Sequence, residues 1–93
     1  MPVLVIYDIS DDELRSRIAH RLLMMGYDRI QKSAYIHPGG YEVALRTYAK
    51  LKRYNYGEND RVHIFILDYR SWSRRLVITR KSREPCYEGV KYF

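Results

Sequence analysis

The sequence lacks the features of a secreted, disulfide-bonded or membrane-spanning protein. It has one cysteine, Cys86, which cannot form an internal disulfide bond and has no companion at zinc-ligand spacing. No apolar run approaches the roughly 20 residues that cross a bilayer. The N-terminal residues also lack the basic segment of a signal peptide. We therefore expect a cytoplasmic protein that has no membrane partner.

The common motifs of nucleotide-using and hydrolytic enzymes are missing as well. There is no glycine-rich phosphate loop, no Walker motif, and no serine, histidine and aspartate pattern of a catalytic triad. Residues 61–67 do not contain the ribonucleoprotein motif of an RRM domain. The three histidines, His20, His37 and His63, show no metal-ligand spacing. Any catalytic chemistry of this chain therefore depends on other residues.

Acidic residues are scarce relative to basic ones. The chain has 17 lysines and arginines but 11 aspartates and glutamates, so its net charge is +6 and its isoelectric point is near 9.6. Most of the cations are arginines, which bind phosphate through paired hydrogen bonds that lysine cannot form. This charge favours a polyanionic partner such as RNA or DNA, although a solvated, salt-bridged surface is the alternative. The scarcity of asparagine and glutamine is typical of heat-adapted proteins.

The first half of the chain predicts a strand, a helix and a second extended segment. Residues 3–7 are continuously apolar, which predicts a strand buried on both faces. A capping-box pattern that starts at Ser10 predicts a helix that ends at Gly26. The inward-facing residues of this helix are expected to be Leu14, Ile18, Leu22 and Met25. Residues 29–37 predict either one bent strand or two short strands joined near Lys32 and Ser33.

The second half predicts another helix and two more strands. A turn at residues 38–40 precedes a helix over residues 41–53. Its inward-facing residues are expected to be Ala44, Leu45, Tyr48 and Leu51. Residues 61–69 alternate between two apolar faces and predict a strand that is covered on each side. A basic connection over residues 70–75 leads to a short strand over residues 76–79.

The order of these elements indicates an α+β fold, a ferredoxin-like βαββαβ sandwich. We assign the domain to residues 1–79 and treat residues 80–93 as a C-terminal tail. Helices cover only one face of such a sheet, so large apolar residues on the other face need a partner or a ligand. The candidates for this open face are Tyr7, Tyr35, Phe65 and Leu67. A homodimer formed through this face would enlarge the thin core of so short a chain.

Asp8 is the best candidate for a chemical role, because it stands where a buried strand gives way to a helix. Rigid strand ends commonly position ligand-binding groups, although aspartate is also a common turn or capping residue. One carboxylate holds Mg²⁺ poorly. A two-fold axis through the site would bring two copies of Asp8 together, and a divalent cation would relieve their repulsion. Such a metal could activate water and stabilise charge on a phosphodiester.

Two further clusters are candidates for nucleic-acid binding. In residues 29–35, Ser33 offers a hydroxyl near a bend and Arg29 offers a bidentate phosphate contact, although a half-exposed strand explains the same pattern. In residues 70–83, cations are interleaved with Trp72 and without any acidic residue, which suits a nucleic-acid backbone. A solvated loop is the alternative there. The cations of this stretch are Arg70, Arg74, Arg75, Arg80, Lys81 and Arg83.

Two segments of the chain resemble the signatures of a known family. Residues 5–12, which read Val-Ile-Tyr-Asp-Ile-Ser-Asp-Asp, are similar to the opening of the CRISPR-associated Cas-two family. Residues 29–35, which read Arg-Ile-Gln-Lys-Ser-Ala-Tyr, resemble its second signature, in which phenylalanine is common where Tyr35 stands. Residues 61–67 resemble a later strand of the family. The resemblance thus extends over residues 3–79 in order and spacing.

The resemblance implies a symmetric homodimer in which the short strand at residues 76–79 joins the partner's sheet. It implies that Asp8 holds Mg²⁺ or Mn²⁺ at the dimer cleft and that Asp8 and Ser33 are the catalytic candidates. Around the cleft it implicates Arg15, Arg17, Arg29 and Tyr35 in binding RNA or DNA. Arg70, Arg74 and Arg75 of the basic cluster complete the candidate nucleic-acid contacts.

The resemblance also implies two functions. The first is a metal-dependent endonuclease on RNA or DNA that acts in CRISPR adaptation and antiviral defence. The second is a non-catalytic DNA-binding scaffold of the spacer-integration complex, in which the partner is the Cas-one integrase. A ferredoxin-like toxin or ligand-binding module unrelated to CRISPR is a further alternative.

Overall fold

The computed structural model describes residues 1–80 and contains an α+β fold, as predicted. Four strands and three helices follow one another in the order βαββαβα. Their bounds are β1 Val3–Asp8, α1 Asp12–Met24, β2 Asp28–Gln31, β3 Ala34–His37, α2 Tyr41–Leu51, β4 Arg61–Ile66 and α3 Tyr69–Ser73. The first six elements are those of a ferredoxin-like sandwich. Among residues 1–80 no helix is long and apolar enough to cross a membrane.

The sheet is antiparallel and has the strand order β2-β3-β1-β4, which places β1 between β3 and β4. At one end of the sheet Asp8 lies opposite Arg61, and at the other end Val3 lies opposite Ile66. We refer to the first as the Asp8 end. Candidate site residues that lie at the same end of the sheet can meet within one chain.

Helix α1 begins one residue later than the capping-box pattern predicts. The carboxylate of Asp11 accepts the backbone N–H of Leu14 at 2.7 Å and caps the helix, whereas Ser10 bonds elsewhere. Leu14, Ile18 and Leu22 are buried as predicted. Met25 lies just after the helix and is half-buried against the core. Gly26 ends the helix with a φ of 94°, a conformation that favours glycine.

The extended segment after α1 consists of two short strands, β2 and β3, with a turn at Lys32 and Ser33 between them. The two-strand interpretation is therefore correct. The pairing of β2 with β3 is irregular between Arg29 and Gln31, which explains why the sequence alternates imperfectly there.

The inward face of α2 differs from the predicted one. Val43, Ala44, Thr47 and Leu51 are the buried residues. Leu45 and Tyr48, which were predicted to face inward, are 50% and 58% exposed. The reason is a buried hydrogen bond of 2.6 Å between the hydroxyls of Tyr27 and Thr47. It satisfies the polar group of Thr47 inside the core, so the helix turns Thr47 inward and the larger apolar residues outward.

Tyr7 and Tyr35 lie on the helix-covered face of the sheet, so their predicted place on the open face was wrong. Both are buried, and their rings stack with centroids 6.0 Å apart. Side chains alternate along a strand, and Tyr7 therefore shares a face with Val3 and Val5. Val5 lies opposite Tyr35, which puts all four residues against the helices. We call this the covered face.

The opposite face carries a strip of exposed residues, so β1 is not buried on both faces within one chain. We define the open strip as Ile6 and Asp8 of β1 with Arg61, His63 and Phe65 of β4. Ile6 and Phe65 are 36% and 42% exposed, which confirms the prediction for Phe65. Ala34 and Ile36 lie on the same face and are buried. Leu67, which follows β4, is half-buried.

The chain after Ile66 differs from the sequence prediction. Strand β4 ends at Ile66, and Tyr69 begins the short helix α3, which was predicted as part of a strand and a connection. Asp68 explains the helix, because its carboxylate accepts the N–H of Arg70 at 3.2 Å. Residues 76–79 are not paired as a strand within the described residues. The domain end at residue 79 stays a prediction, and nearly all of the tail lies outside the described residues.

Candidate functional site

Asp8 is the last residue of β1 and lies at the edge of the open strip. It alternates with the buried Tyr7, so its side chain is on the opposite face, and it is exposed. Arg61 lies opposite on β4. Within residues 1–80, the carboxylate of Asp8 forms neither an ion pair nor a side-chain hydrogen bond. It is thus available to a ligand.

Asp60 ties together the two loops that flank Asp8 and Arg61. Its carboxylate accepts the N–H of Gly57 at 2.8 Å and the N–H of Ser10 at 3.2 Å. The hydrogen bond from Gly57 and then that from Ser10 lower the pKa of Asp60, because both stabilise the charged form. A local pattern could have indicated this role, since Asp60 follows a polar loop with a glycine and directly precedes a strand.

The turn that carries Ser33 lies beside the same end of β1. The N–H of Tyr7 donates to the carbonyl oxygen of Ser33 at 3.1 Å. Arg29 braces the turn from within, because its guanidinium donates to the carbonyls of Gln31 and Lys32 at 3.3 and 3.2 Å. The structure therefore places Ser33 next to the strand residue that precedes Asp8.

Three of the predicted contacts, Arg15, Arg29 and Tyr35, line one small cleft on the covered side of this end. The cleft has a volume of about 150 Å³. Its other lining residues are Tyr7, Ser16, Ala19 and Lys32. Arg15 is held there by a hydrogen bond of 2.8 Å to the carbonyl oxygen of Ile9 and by an ion pair with Asp12. Three cations around so small a space suit an anionic group of phosphate size.

Tyr7, which lines the cleft, remains neutral at physiological pH. Burial raises the pKa of Tyr7 well above its ordinary value, and a hydrogen bond with Tyr35 raises it further. Arg29 and Arg15 oppose this shift, because their positive charges favour a tyrosinate. Tyr7 therefore adds no negative charge beside a bound phosphate.

The donor set for a divalent cation is incomplete in one chain. Carboxylate oxygens are the ligands that Mg²⁺ prefers, so the chemical type of Asp8 fits. Among residues 1–80, however, no group of three histidine, cysteine, aspartate or glutamate side chains could hold a metal ion. The residues present therefore fit a metal only as half of a site, which a second copy of Asp8 would complete.

Arg17 does not join the cleft that contains Arg15. Residues two apart on a helix point about 160° away from each other. The guanidinium of Arg17 accordingly lies over the ring of Tyr54, 5.6 Å from its centroid. This contact places Arg17 on another surface, together with Arg21. The separation follows from helical periodicity and was open to prediction once the helix was recognised.

Arg70, Arg74 and Arg75 follow the end of β4 that is remote from Asp8. Helix α3 follows Ile66, which is opposite Val3. Arg75 stacks on Trp72, with its guanidinium carbon 3.8 Å from the ring centroid, and donates to the carbonyl oxygen of Trp72 at 3.2 Å. Arg70 and Arg74 are exposed. None of these arginines lines the cleft beside Tyr7.

The chain matches known proteins over most of its length. The family model described as CRISPR associated protein Cas2, the Cas-two family of the two signatures, matches residues 1–75. A CRISPR-associated endoribonuclease Cas2 of Aeropyrum pernix is 40% identical over 65 residues, which cover 70% of this chain and 71% of that protein. The CRISPR-associated endoribonuclease Cas2 1 of Archaeoglobus fulgidus is 37% identical over 93 residues, which cover 96% of each.

One relative joins two proteins in a single chain. A CRISPR-associated endonuclease Cas1/endonuclease Cas2 fusion of Thermoproteus tenax is 34% identical over 71 residues, which cover 76% of this chain and 27% of that protein. Together these matches overturn the alternative of a toxin or ligand-binding module unrelated to CRISPR. The ferredoxin-like fold, the two signatures and the similarity over residues 1–75 lead to one conclusion: this chain belongs to the Cas2 family of CRISPR-associated proteins.

Proposed function

We propose that this protein is a metal-dependent endonuclease that cleaves phosphodiester bonds of RNA or DNA as a homodimer in CRISPR adaptation and antiviral defence. One observation carries the proposal: Asp8 is an exposed carboxylate, unpaired within the described part of the chain, at the rigid end of the central strand and in line with the open strip. The relatives from Aeropyrum pernix and Archaeoglobus fulgidus are both named endoribonucleases, which supports the reaction class.

The open strip supports the homodimer. Two copies that cover Ile6 and Phe65 against each other would remove their apolar surface from water, which stabilises by about 25 cal/mol for each Å² buried. Asp8 is on the same face of β1 as Ile6, so the same packing would bring two Asp8 carboxylates toward one axis. The two carboxylates would hold Mg²⁺ or Mn²⁺. When bound, a divalent cation stabilises the charge that develops on a phosphodiester and lowers the pKa of bound water.

The other residues of the site bind and orient the substrate. Arg15, Arg29 and Lys32 attract a backbone phosphate to the cleft, where Tyr35 forms part of the wall. Ser33 donates a hydrogen bond from its hydroxyl to a phosphate oxygen beside Asp8. Because Asp60 fixes the neighbouring loop and Arg29 fixes the turn, these groups are held in place before substrate binds, which lowers the entropic cost of reaching the transition state.

Substitution of Asp8 tests the cleavage proposal. We expect Asp8→Asn to lower the rate of RNA or DNA cleavage with Mg²⁺ or Mn²⁺ at least about 100-fold, while the folded structure and nucleic-acid binding persist. Glu58→Gln, which removes the same charge from an exposed loop position, is the control and should cleave at the unsubstituted rate. Cleavage by Asp8→Asn at the unsubstituted rate would contradict the proposal.

The Cas1/Cas2 fusion favours a second function, a DNA-binding scaffold for a Cas1 partner. We propose it beside the first, because the two need different residues. Spacer integration in a complex reconstituted with Cas1 separates them. A scaffold that needs no cleavage keeps integrating DNA when Asp8 is changed to alanine, whereas a complex that depends on cleavage by this chain loses integration with the same substitution.

A further inference from the structure

A wide groove runs between α1 and α2 on the helical side of the molecule. Its volume is about 600 Å³, four times that of the cleft beside Tyr7. We call it the α1–α2 groove. It is lined by Asp11, Glu13, Leu14, Arg17, Arg21, Lys50, Arg53, Tyr54 and Asn55. Helix α1 contributes Arg17 and Arg21, while α2 and the turn after it contribute Lys50 and Arg53. Among these four cations only Arg17 figured in the sequence prediction.

Tyr54 holds two of these cations in position. Its side chain packs against the core. The hydroxyl of Tyr54 accepts a hydrogen bond of 3.3 Å from Nε of Arg21, and the guanidinium of Arg17 lies over its ring. Arg17 and Arg21 are four residues apart on α1 and therefore lie on the same face of the helix, about 6 Å apart. Because these two guanidinium groups are already ordered, their side chains lose less conformational entropy when a ligand binds.

The charge of the groove is only partly neutralised by the carboxylates that line it. Within residues 1–80 no carboxylate forms an ion pair with Arg17, Arg21, Lys50 or Arg53. Two carboxylates, those of Asp11 and Glu13, line the groove as well. That of Asp11 already accepts the N–H of Leu14 as the cap of α1. Four cations against two carboxylates leave a positive surface that suits a ligand with several phosphates.

The groove and the Asp8 end differ in where they lie. The groove is formed by the helices, whereas Asp8 lies on the side of the sheet that the helices do not cover. The cleft of Tyr7 and Arg15 shares no lining residue with the groove. The groove is therefore a cluster of cations separate from the one that lines the cleft beside Tyr7.

We propose that the α1–α2 groove binds the phosphate backbone of a nucleic acid and that Arg21 and Arg53 are its principal phosphate-binding residues beside Arg17. The proposal extends the proposed function, since it rests on a nucleic-acid substrate but not on cleavage. Recognition is through the backbone, because the ring of Tyr54 that would stack on a base is occupied by Arg17. Binding in the groove is therefore independent of base sequence.

The test measures binding without cleavage. Labelled single-stranded RNA and labelled duplex DNA are titrated with protein in EDTA at several salt concentrations, and the slope of log Kd against log salt is determined. Removing the cation from one phosphate lowers the slope by about 0.7 for a single strand and about 0.9 for a duplex. For Arg21→Gln/Arg53→Gln we expect the slope to fall by about 1.4 or about 1.8, which corresponds to two phosphates.

Two matched variants make the result decisive. Arg46→Gln/Lys52→Gln removes the same charge from exposed α2 positions outside the groove and should lower the slope by less than half as much. Arg21→Lys/Arg53→Lys keeps the charge and should keep the slope. A lower slope in the Arg21/Arg53 glutamine pair alone, with RNA or with DNA, supports the proposal. Three results would overturn it. The slope could fall equally in the Arg21/Arg53 and Arg46/Lys52 glutamine pairs, or it could fall with neither RNA nor DNA. It could also fall as far in the Arg21→Lys/Arg53→Lys variant as in the Arg21/Arg53 glutamine pair.

The outcome is distinguishable from failure of the cleavage proposal. If the groove is not a binding site, the Arg21/Arg53 glutamine pair keeps its salt slope, and Asp8→Asn still abolishes cleavage. If the cleavage proposal is wrong, Asp8→Asn keeps its cleavage rate, and the salt slope of the glutamine pair still falls.

Discussion

The two faces of the sheet differ in how far a single chain buries them. On the covered face, Val3, Val5 and Tyr7 are buried under two helices. On the open strip, Ile6 and Phe65 stay exposed although they belong to the same central pair of strands. Both faces carry large apolar residues, but only the covered face has helices packed on it, and the open strip also carries the polar residues Asp8, Arg61 and His63. The covered face builds the fold, and the open strip, with Asp8 at its end, is the surface that we propose for a second copy.

The largest expected difference between the two faces comes from placing a charge in the open strip. Phe65→Lys would put an ammonium group into the proposed dimer interface, where burial of an unpaired charge is prohibitive. We expect a monomer in light scattering and a loss of cleavage of at least about tenfold, while circular dichroism shows an intact fold. Leu45→Lys, at a comparably exposed position on α2, is the control and should remain dimeric. A dimeric Phe65→Lys variant would show that the open strip is not the dimer interface.

Substitutions on the covered face should lower the free energy of unfolding and should not prevent dimer formation. Ile18 is fully buried on α1, and Ile18→Ala should lower the free energy of unfolding by about 2–5 kcal/mol, because it leaves a cavity. Leu23→Ala, on the exposed side of the same helix, should cost less than about 0.5 kcal/mol. Chemical denaturation of both variants measures the difference. Similar losses for the two would mean that α1 packs with another face.

The smallest effect concerns pH at the edge of the covered face. Nδ1 of His37 accepts the N–H of Gly39 at 2.8 Å, and the ring meets Tyr27 edge-on. Burial, and then the charge of Arg46, lower the pKa of His37, while Met25 and Asp28 partly oppose the shift. The folded state therefore prefers neutral His37.

The sign of the pH dependence follows from that preference. The stability that His37 contributes is complete above its ordinary pKa of about 6.5 and declines as the pH falls through the lower pKa of the folded state. We expect His37→Gln to flatten the dependence of the unfolding free energy on pH below about 6.5. The exposed His20→Gln is the control and should leave it unchanged. If the pH dependence of the unfolding free energy persists in His37→Gln, groups other than His37 cause it.

Much of the fold follows from local sequence patterns, because each pattern reports on the chain near it. The apolar residues 3–7, the spacing of Leu14, Ile18 and Leu22, and the turn at Gly26 all predict elements that the structure contains. The inward face of α2 was not predictable in this way. It depends on the bond between Thr47 and Tyr27, which are 20 residues apart. The side on which Tyr35 lies depends on its register with Val5, which is equally non-local.

The candidate site was predictable in its residue types but not in their grouping. The position of Asp8 at a strand end follows from the sequence alone. That Arg15, Arg29 and Tyr35 meet in one cleft, which Arg70 and Arg75 do not line, depends on the strand order and the antiparallel pairing. The groove that joins Arg21 to Arg53 depends on the packing of two helices that are separate in the sequence.

The central claim is that one cleavage site needs Asp8 from two chains. The most direct test is the cleavage rate of a heterodimer of one unsubstituted chain and one Asp8→Asn chain, purified through two different affinity tags. A shared site predicts a rate no higher than that of the Asp8→Asn homodimer. Half the rate of the unsubstituted dimer would show that each chain cleaves by itself, and would contradict the account.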